Sequence, residues 1–233
     1  MFNHETLTRK ASIYHWDEIK TFKTAKRQND HFSARWLLEE AVKEWGGIDC
    51  SGIYVHRTEE RAPYLRAIQG LWIQPTLPSI SIAHSQTLAC VALIDQGWTV
   101  GVDAEPFDRP PSPSVFDMMA KGQELALLQS GKLDALQAWT SKEAVQKAAR
   151  MGMHLNPRDL VLSSNGLKNK IAIGKSIFQL ENLSNDAYHI TLAWARDSHP
   201  IRTLEDDLLD ATREAMRSGD DWKVGCATIR KNV

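Results

Sequence analysis

The sequence predicts an α+β fold, and three observations support that prediction. Two apolar runs of strand length, Leu88 to Ile94 and Trp98 to Val102, are separated by Asp95-Gln96-Gly97, whose chemistry suits a turn. Stretches with helical spacing cover residues 31–45, 115–129 and 133–149. Strand-like runs at 160–162, 170–173, 176–180 and 188–194 follow one another with turns between, the pattern of an antiparallel meander.

In chain order, residues 1–20 carry no clear pattern, and from Lys20 the chain turns basic through Lys23, Lys26 and Arg27. Asp30 reads as the N-cap of a helix from about His31 to Trp45, with Phe32, Trp36, Leu37 and Val42 as its apolar stripe and Gly46-Gly47 as its stop. Residues 48–79 are loop-rich around a short strand, Ile53-Tyr54-Val55, and Ser79 to His84 alternates into another. The runs on either side of Asp95-Gln96-Gly97 read as a buried hairpin. Phe107 to Pro113 is a Pro-rich connector and marks the internal boundary between residues 1–105 and 106–200. Helical pattern resumes from about Val115 to Gln129, breaks at Ser130-Gly131 and returns at about Leu133, to be ended by Gly152 and Asn156-Pro157. A polar amphipathic helix from Thr203 to Arg217 opens a C-terminal extension, 201–233. No internal sequence repeat is visible.

At 233 residues the chain is long enough for one large domain or two small ones, and 42% hydrophobic with 24% charged residues suits a soluble globular protein. A net charge of −1 encodes no broad attraction to nucleic acid or anionic lipid, so anion binding has to come from local clusters. Cys50, Cys90 and Cys226 are widely spaced and form neither a disulfide framework nor a zinc pattern. With no signal-like N-terminus and no apolar run of bilayer length, a cytoplasmic protein is expected.

Two stretches carry chemistry. In an extended chain alternate side chains share a face, so Asp103 and Glu105 point the same way at a strand end. Such a pair is ordinarily a solvated rim, yet two carboxylates aimed together off a rigid element also suit a hard cation. In the helix that contains Trp139 to Ala149, Leu136, Trp139, Glu143 and Lys147 share one face at about 100° per residue, while Ala138, Ser141, Val145, Ala148 and Ala149 form a small side able to lie close to a sheet. Glu143 followed by Lys147 is ordinarily a solvent-facing pair. It is the combination that matters.

Ser81-Ile82-Ala83-His84-Ser85, then Val100-Gly101-Val102-Asp103-Ala104-Glu105-Pro106, then Trp139 to Ala148 resembles, in order and spacing, the three signature blocks of 4′-phosphopantetheinyl transferases, in the longer monomeric form typified by the surfactin-synthetase activating enzyme. The resemblance implies two similar α+β halves with the active site in the cleft between them. It implies transfer of 4′-phosphopantetheine from coenzyme A to a serine hydroxyl of an apo acyl or peptidyl carrier protein, releasing adenosine 3′,5′-bisphosphate. It assigns Mg²⁺, with Mn²⁺ as the alternative, to Asp103, Glu105 and Glu143. Lys147 then neutralises the diphosphate and assists the leaving group, with Lys142 at the flank. Arg35, in Ser33-Ala34-Arg35-Trp36-Leu37-Leu38, His84 and Ser85 contact the coenzyme, with Lys26 and Arg27 as further candidates. Glu143 is the first choice of base, directly or through water. The family's Gly-Lys-Pro segment is replaced here by Arg61-Ala62-Pro63-Tyr64-Leu65-Arg66, so Arg61 or Arg66 stands in for its lysine. An acidic helical carrier is expected to dock near Val115 to Gln129, where Met118, Met119 and Lys121 lie.

Two other classes fit parts of the pattern. Asp-x-Glu followed by Glu-x₃-Lys is loosely similar to metal-dependent nucleases, but the chain lacks the excess positive charge a nucleic-acid substrate calls for. A catalytically inert relative that binds coenzyme A or a carrier is the second, favoured by the altered 61–66 segment.

Overall fold

The computed structural model describes residues 13, 16–67, 76–162 and 169–198, all within the compact unit Met1–Ser198. The expected helix from Thr203 to Arg217 and the extension 201–233 lie outside the described residues. The architecture is α+β. A short helix α1 (Trp16–Lys20) precedes the long α2 (Ala25–Gly46); the hairpin β1 (Ile53–Arg57) and β2 (Pro63–Ala67) follows, then β3 (Ser79–Ser85), β4 (Leu88–Ile94) and β5 (Trp98–Pro106). Two short helices, α3 (Phe116–Met119) and α4 (Gly122–Gln129), lead to α5 (Ala135–Ala148), and β6 (Lys170–Ile173), β7 (Ser176–Asn182) and β8 (Tyr188–Arg196) complete the described chain.

The strands behave as their composition predicts, but one pairing does not. β4 pairs antiparallel with β3, and β5 pairs with β8 in a four-stranded sheet of order β5-β8-β7-β6, so the expected hairpin across Asp95-Gln96-Gly97 is not formed as a ladder. The turn itself is present, with the Trp98 amide donating to the Asp95 carbonyl at 3.2 Å. The two sheets meet where the Ser81 hydroxyl accepts from the Val102 amide at 3.0 Å. The run Leu160-Val161-Leu162 is not a strand: its start follows a 3₁₀ turn at Pro157–Asp159, and Leu160 is buried in the core beneath α5. The other three late runs form the expected meander.

Helix α2 starts earlier than the sequence suggested. Thr24, not Asp30, is the N-cap and accepts from the Arg27 amide, while Asp30 pairs with Lys26 one turn back. Gly47 in the left-handed region at φ 65° closes the helix, as the Gly46-Gly47 pair predicted. Its buried stripe runs through Phe32, Leu38 and Val42, with Leu37 only half-buried, and packs against the β3–β4 hairpin. The expected single helix 115–129 is two, interrupted at Ala120-Lys121 where the backbone is extended and Gly122 takes φ 57°. Met119 and Ala120 are wholly buried there, whereas Met118 is exposed. α5 ends at Ala148, four residues before Gly152.

Helix α5 is held very close to the sheet. A Cβ on Gly101 would stand 1.9 Å from the Ala144 carbonyl oxygen and 2.5 Å from the Ala148 amide nitrogen, so only glycine fits beneath the helix. On the side of α5 turned to α3 and α4, Ala138 and Trp139 pack with Phe116, Met119 and Leu128. Thus Trp139 belongs to a core and does not stand open beside Glu143.

Candidate functional site

Two charged regions of opposite character flank one another. The first lies under α5. Register pairs Gly101 with Ala193, Asp103 with Thr191 and Glu105 with His189, so Gly101, Asp103 and Glu105 share one face of β5, the face α5 covers. Lys147 Nζ approaches Asp103 Oδ1 at 2.5 Å and Glu143 Oε2 at 3.9 Å, so residues 44 apart in sequence stand together. Asp103 is buried, and its Oδ2 has no hydrogen-bond partner among the described residues. Burial, then the Asp103 charge, pushes the Glu143 carboxyl up to about 7 against the opposing pull of Lys147. Burial also raises the Glu105 carboxyl, with the Ser85 hydrogen bond working the other way. That bond, Ser85 Oγ to Glu105 Oε2 at 3.0 Å, gives Ser85 its role: it fixes a carboxylate and does not line the neighbouring cavity.

The second region is a cavity of about 660 Å³ between α2, the β1–β2 turn, β3 and the end of α5. Lys26, Arg27, Arg35, Arg57, Arg61, Lys147 and Arg150 line it, against Glu18, Asp30 and Glu60. Such an excess of cations in a concave wall draws an anion. Arg35 is 2% exposed, and among the described residues only its Nη2 is satisfied, by Glu18 Oε2 at 3.2 Å; its Nε and Nη1 are buried with no partner there. Burial, opposed by Glu18, lowers this guanidinium to about 10. Buried N–H groups left open on a cation are expensive, and a bound anion would satisfy them. His31 Nε2 is likewise buried and has no partner among the described residues, and burial with the Arg35 charge holds the ring near 4, hence neutral. His84 is exposed on the cavity wall, where the surrounding protein mass keeps its ring below the ordinary histidine range. Arg61 lines the cavity at φ 68°, and Arg66 does not.

Sequence reasoning missed Glu18. Its Oε1 takes Arg57 Nη2 at 2.6 Å while its Oε2 holds Arg35, so one carboxylate aligns two arginines 22 positions apart in sequence. No pattern in residues 1–20 signals this. Lys142 is a correction: it is 0% exposed, and its three N–H groups go to Glu124 Oε2 at 2.6 Å, the Met119 carbonyl at 2.6 Å and the Pro157 carbonyl at 3.0 Å. It knits α5 to α3, α4 and the 157–162 segment and has no donor left for a phosphate. Lys121, expected on an open docking strip, pairs with Asp159 at 2.5 Å.

Lys147 is common to both regions. The donor set under α5 is all oxygen, carries more carboxylates than its one ammonium neutralises, and includes an orphaned buried oxygen, so it fits a hard divalent cation in kind and charge. Among the described residues, however, no three His, Cys, Asp or Glu side chains already stand as a metal-holding group. Lys147 occupies the Asp103 oxygen instead.

Residues 99–200 match the model of the 4′-phosphopantetheinyl transferase superfamily. The match, which spans rather less than half of the chain, supports membership of that superfamily. The matched segment runs from β5 to just past β8 and contains Asp103, Glu105, Glu143 and Lys147; Arg35 and His84 lie outside it. That match supports a phosphopantetheinyl transferase role in general. No curated protein is significantly similar to the chain. Among the described residues no helix is long and apolar enough to cross a membrane.

Proposed function

We propose that this transferase moves 4′-phosphopantetheine from coenzyme A to the serine hydroxyl of an apo acyl or peptidyl carrier protein and releases adenosine 3′,5′-bisphosphate. The observation that carries this is Lys147, which joins a cavity where cations outnumber carboxylates to a carboxylate cluster in excess. Arg35, helped by Arg57 and Arg61, takes the nucleotide phosphates, and His84 donates to a phosphate from a ring nitrogen. Lys147 faces the diphosphate from the other side and offsets charge on the departing oxygen. Glu143, directly or through a water, accepts the serine proton. Asp103, Glu105 and Glu143 would hold Mg²⁺ or Mn²⁺, which when bound supplies positive charge to the diphosphate oxygens. The protein is read as a cytoplasmic monomer of two similar halves, 1–105 and 106–200, of the surfactin-synthetase activating type.

The Lys147–Asp103 contact favours one rival, an inert relative in which the ammonium permanently takes the cation's place. One assay separates them: incubate the protein with coenzyme A, Mg²⁺ and apo carrier proteins, and weigh the carriers. The transferase reading expects each competent carrier to gain the phosphopantetheine mass. Binding of coenzyme A with no mass gain on any carrier would replace it with the inert relative.

A further inference from the structure

Directly beneath α5, on the same face of the sheet as the carboxylates, lies a polar chain that the proposed chemistry does not use. Thr140, 0% exposed, places its hydroxyl 2.8 Å from His189 Nδ1 and 3.0 Å from Thr191 Oγ1, and 3.0 Å from the Leu136 carbonyl, to which it donates. The Asn182 side-chain nitrogen lies 3.3 Å from His189 Nε2. An amide nitrogen can only donate, so Nε2 is the acceptor and Nδ1 carries the ring proton. The bonds then run one way. Asn182 donates to His189, His189 and Thr191 both donate to Thr140, and Thr140 donates to the helix backbone. Every polar atom of a buried threonine and histidine is used, with no charge needed.

The strand positions give this chain its meaning. His189 is the cross-strand partner of Glu105, and Thr191 that of Asp103. Thr140 stands three residues before Glu143, almost one helical turn. Gly101 sets how near α5 lies to the sheet, but it and the small Ala193 and Ala195 beneath the helix present nothing that resists sliding along the strands. Sliding is resisted by polar links: the bond from the Thr99 hydroxyl to the Ala148 carbonyl at one end, the Lys147–Asp103 ion pair between, and Thr140 at the other end. A shift of about 1 Å is enough to spoil the approach of Glu143 to Asp103 and Glu105.

We propose that Thr140 is a positioning residue that fixes where α5 delivers Glu143, with His189 and Thr191 anchoring it to the strand positions opposite the other two carboxylates. This rests on reading Asp103, Glu105 and Glu143 as cation ligands. Thr140 touches neither substrate nor cation. Its effect is felt through Glu143, and the affinity for a divalent cation is the quantity it controls.

The test measures Mn²⁺ binding to the full chain by calorimetry, and coenzyme A binding in metal-free buffer beside it. Thr140→Val keeps the shape and removes the hydroxyl; a roughly 10- to 100-fold loss of Mn²⁺ affinity is expected, the size usual for residues that orient metal ligands. Thr140→Ser keeps the hydroxyl and should stay within about threefold of the unsubstituted protein. His189→Leu cuts the same link from the strand side, should move Mn²⁺ affinity in the same direction, and decides the matter if the valine variant does not fold. Coenzyme A affinity should be unchanged in all, whereas general loosening would lower both. Mn²⁺ affinity in Thr140→Val and His189→Leu equal to the unsubstituted protein would overturn the positioning role alone. Absence of Mn²⁺ binding by the unsubstituted protein would overturn the carboxylate reading, and the positioning role with it.

Discussion

The cavity beside α2 and the cluster beneath α5 are opposite solutions to burying charge. In the cavity, cations outnumber carboxylates, and Arg35 keeps two N–H groups without partners among the described residues although it is almost wholly buried. In the cluster, Asp103, Glu105 and Glu143 share one ammonium, and the protein relieves the excess by raising the Glu143 carboxyl to about 7. Neither region is balanced alone. Structural ion pairs in this chain look different: Lys142 and Glu124 pair at 2.6 Å with every Lys142 donor used. The contrast fits the proposed roles of the two unbalanced regions, an anion site and a cation site, with Lys147 between them.

The strongest way to break that comparison is to remove a carboxylate. Asp103→Ala or Glu143→Ala should lower carrier modification by at least roughly 10³-fold while the circular dichroism spectrum is retained, several kcal/mol of lost charge stabilisation at the reacting phosphates. Unchanged mass gain in either would remove the metal assignment. On the cavity side, Arg35→Ala should raise the coenzyme A dissociation constant roughly 10- to 100-fold by calorimetry, as expected for losing charge-assisted hydrogen bonds, without changing Mn²⁺ binding. Gly101→Ala presses on the contact that brings α5 to the sheet. Because the added Cβ meets backbone 1.9 Å away, a loss of about 3 kcal/mol or more in urea unfolding is expected. A neutral result would mean that α5 is free to lift.

Acid and base should act on the two regions in opposite directions. The folded pKa of Glu143, about 7, lies above its ordinary 4.5. Its contribution to stability is therefore full below about pH 4.5 and lost as pH rises to 7. His31 is lowered from 6.5 to about 4, so its contribution is present above pH 6.5 and lost as pH falls to 4. In metal-free urea melts, Glu143→Gln should abolish the first slope, a difference on the order of 2 kcal/mol at pH 7.5. His31→Gln should flatten the second by a smaller amount. Slopes of the same sign in both regions would contradict the comparison.

How much of this was legible in the sequence follows from the range of each interaction. Strands rich in β-branched residues were readable because their patterning is local, and the face shared by Asp103 and Glu105 followed from period two alone. The partner of β5 was not readable, because Asp95-Gln96-Gly97 makes a turn whether or not the flanking strands pair, and β8 lies some 90 residues away in register. Lys142 read as a phosphate contact at the flank of the site, because its partner Glu124, 18 positions earlier, meets it only inside the folded protein. The start of α2 was hidden by a basic run that reads as loop, although Thr24 is an ordinary N-cap. Glu18 left no local signal at all. Its partners lie 17 and 39 residues onward, and only the fold joins them.

The most direct test of the central claim is a Mn²⁺ titration of the full chain with and without coenzyme A. If the basic cavity and the carboxylate cluster form one site linked at Lys147, the coenzyme's diphosphate should tighten Mn²⁺ binding by at least roughly tenfold, a coupling of about 1.4 kcal/mol, and Mn²⁺ should tighten the coenzyme by the same factor. Equal Mn²⁺ affinity in both titrations would show that the two regions do not act together.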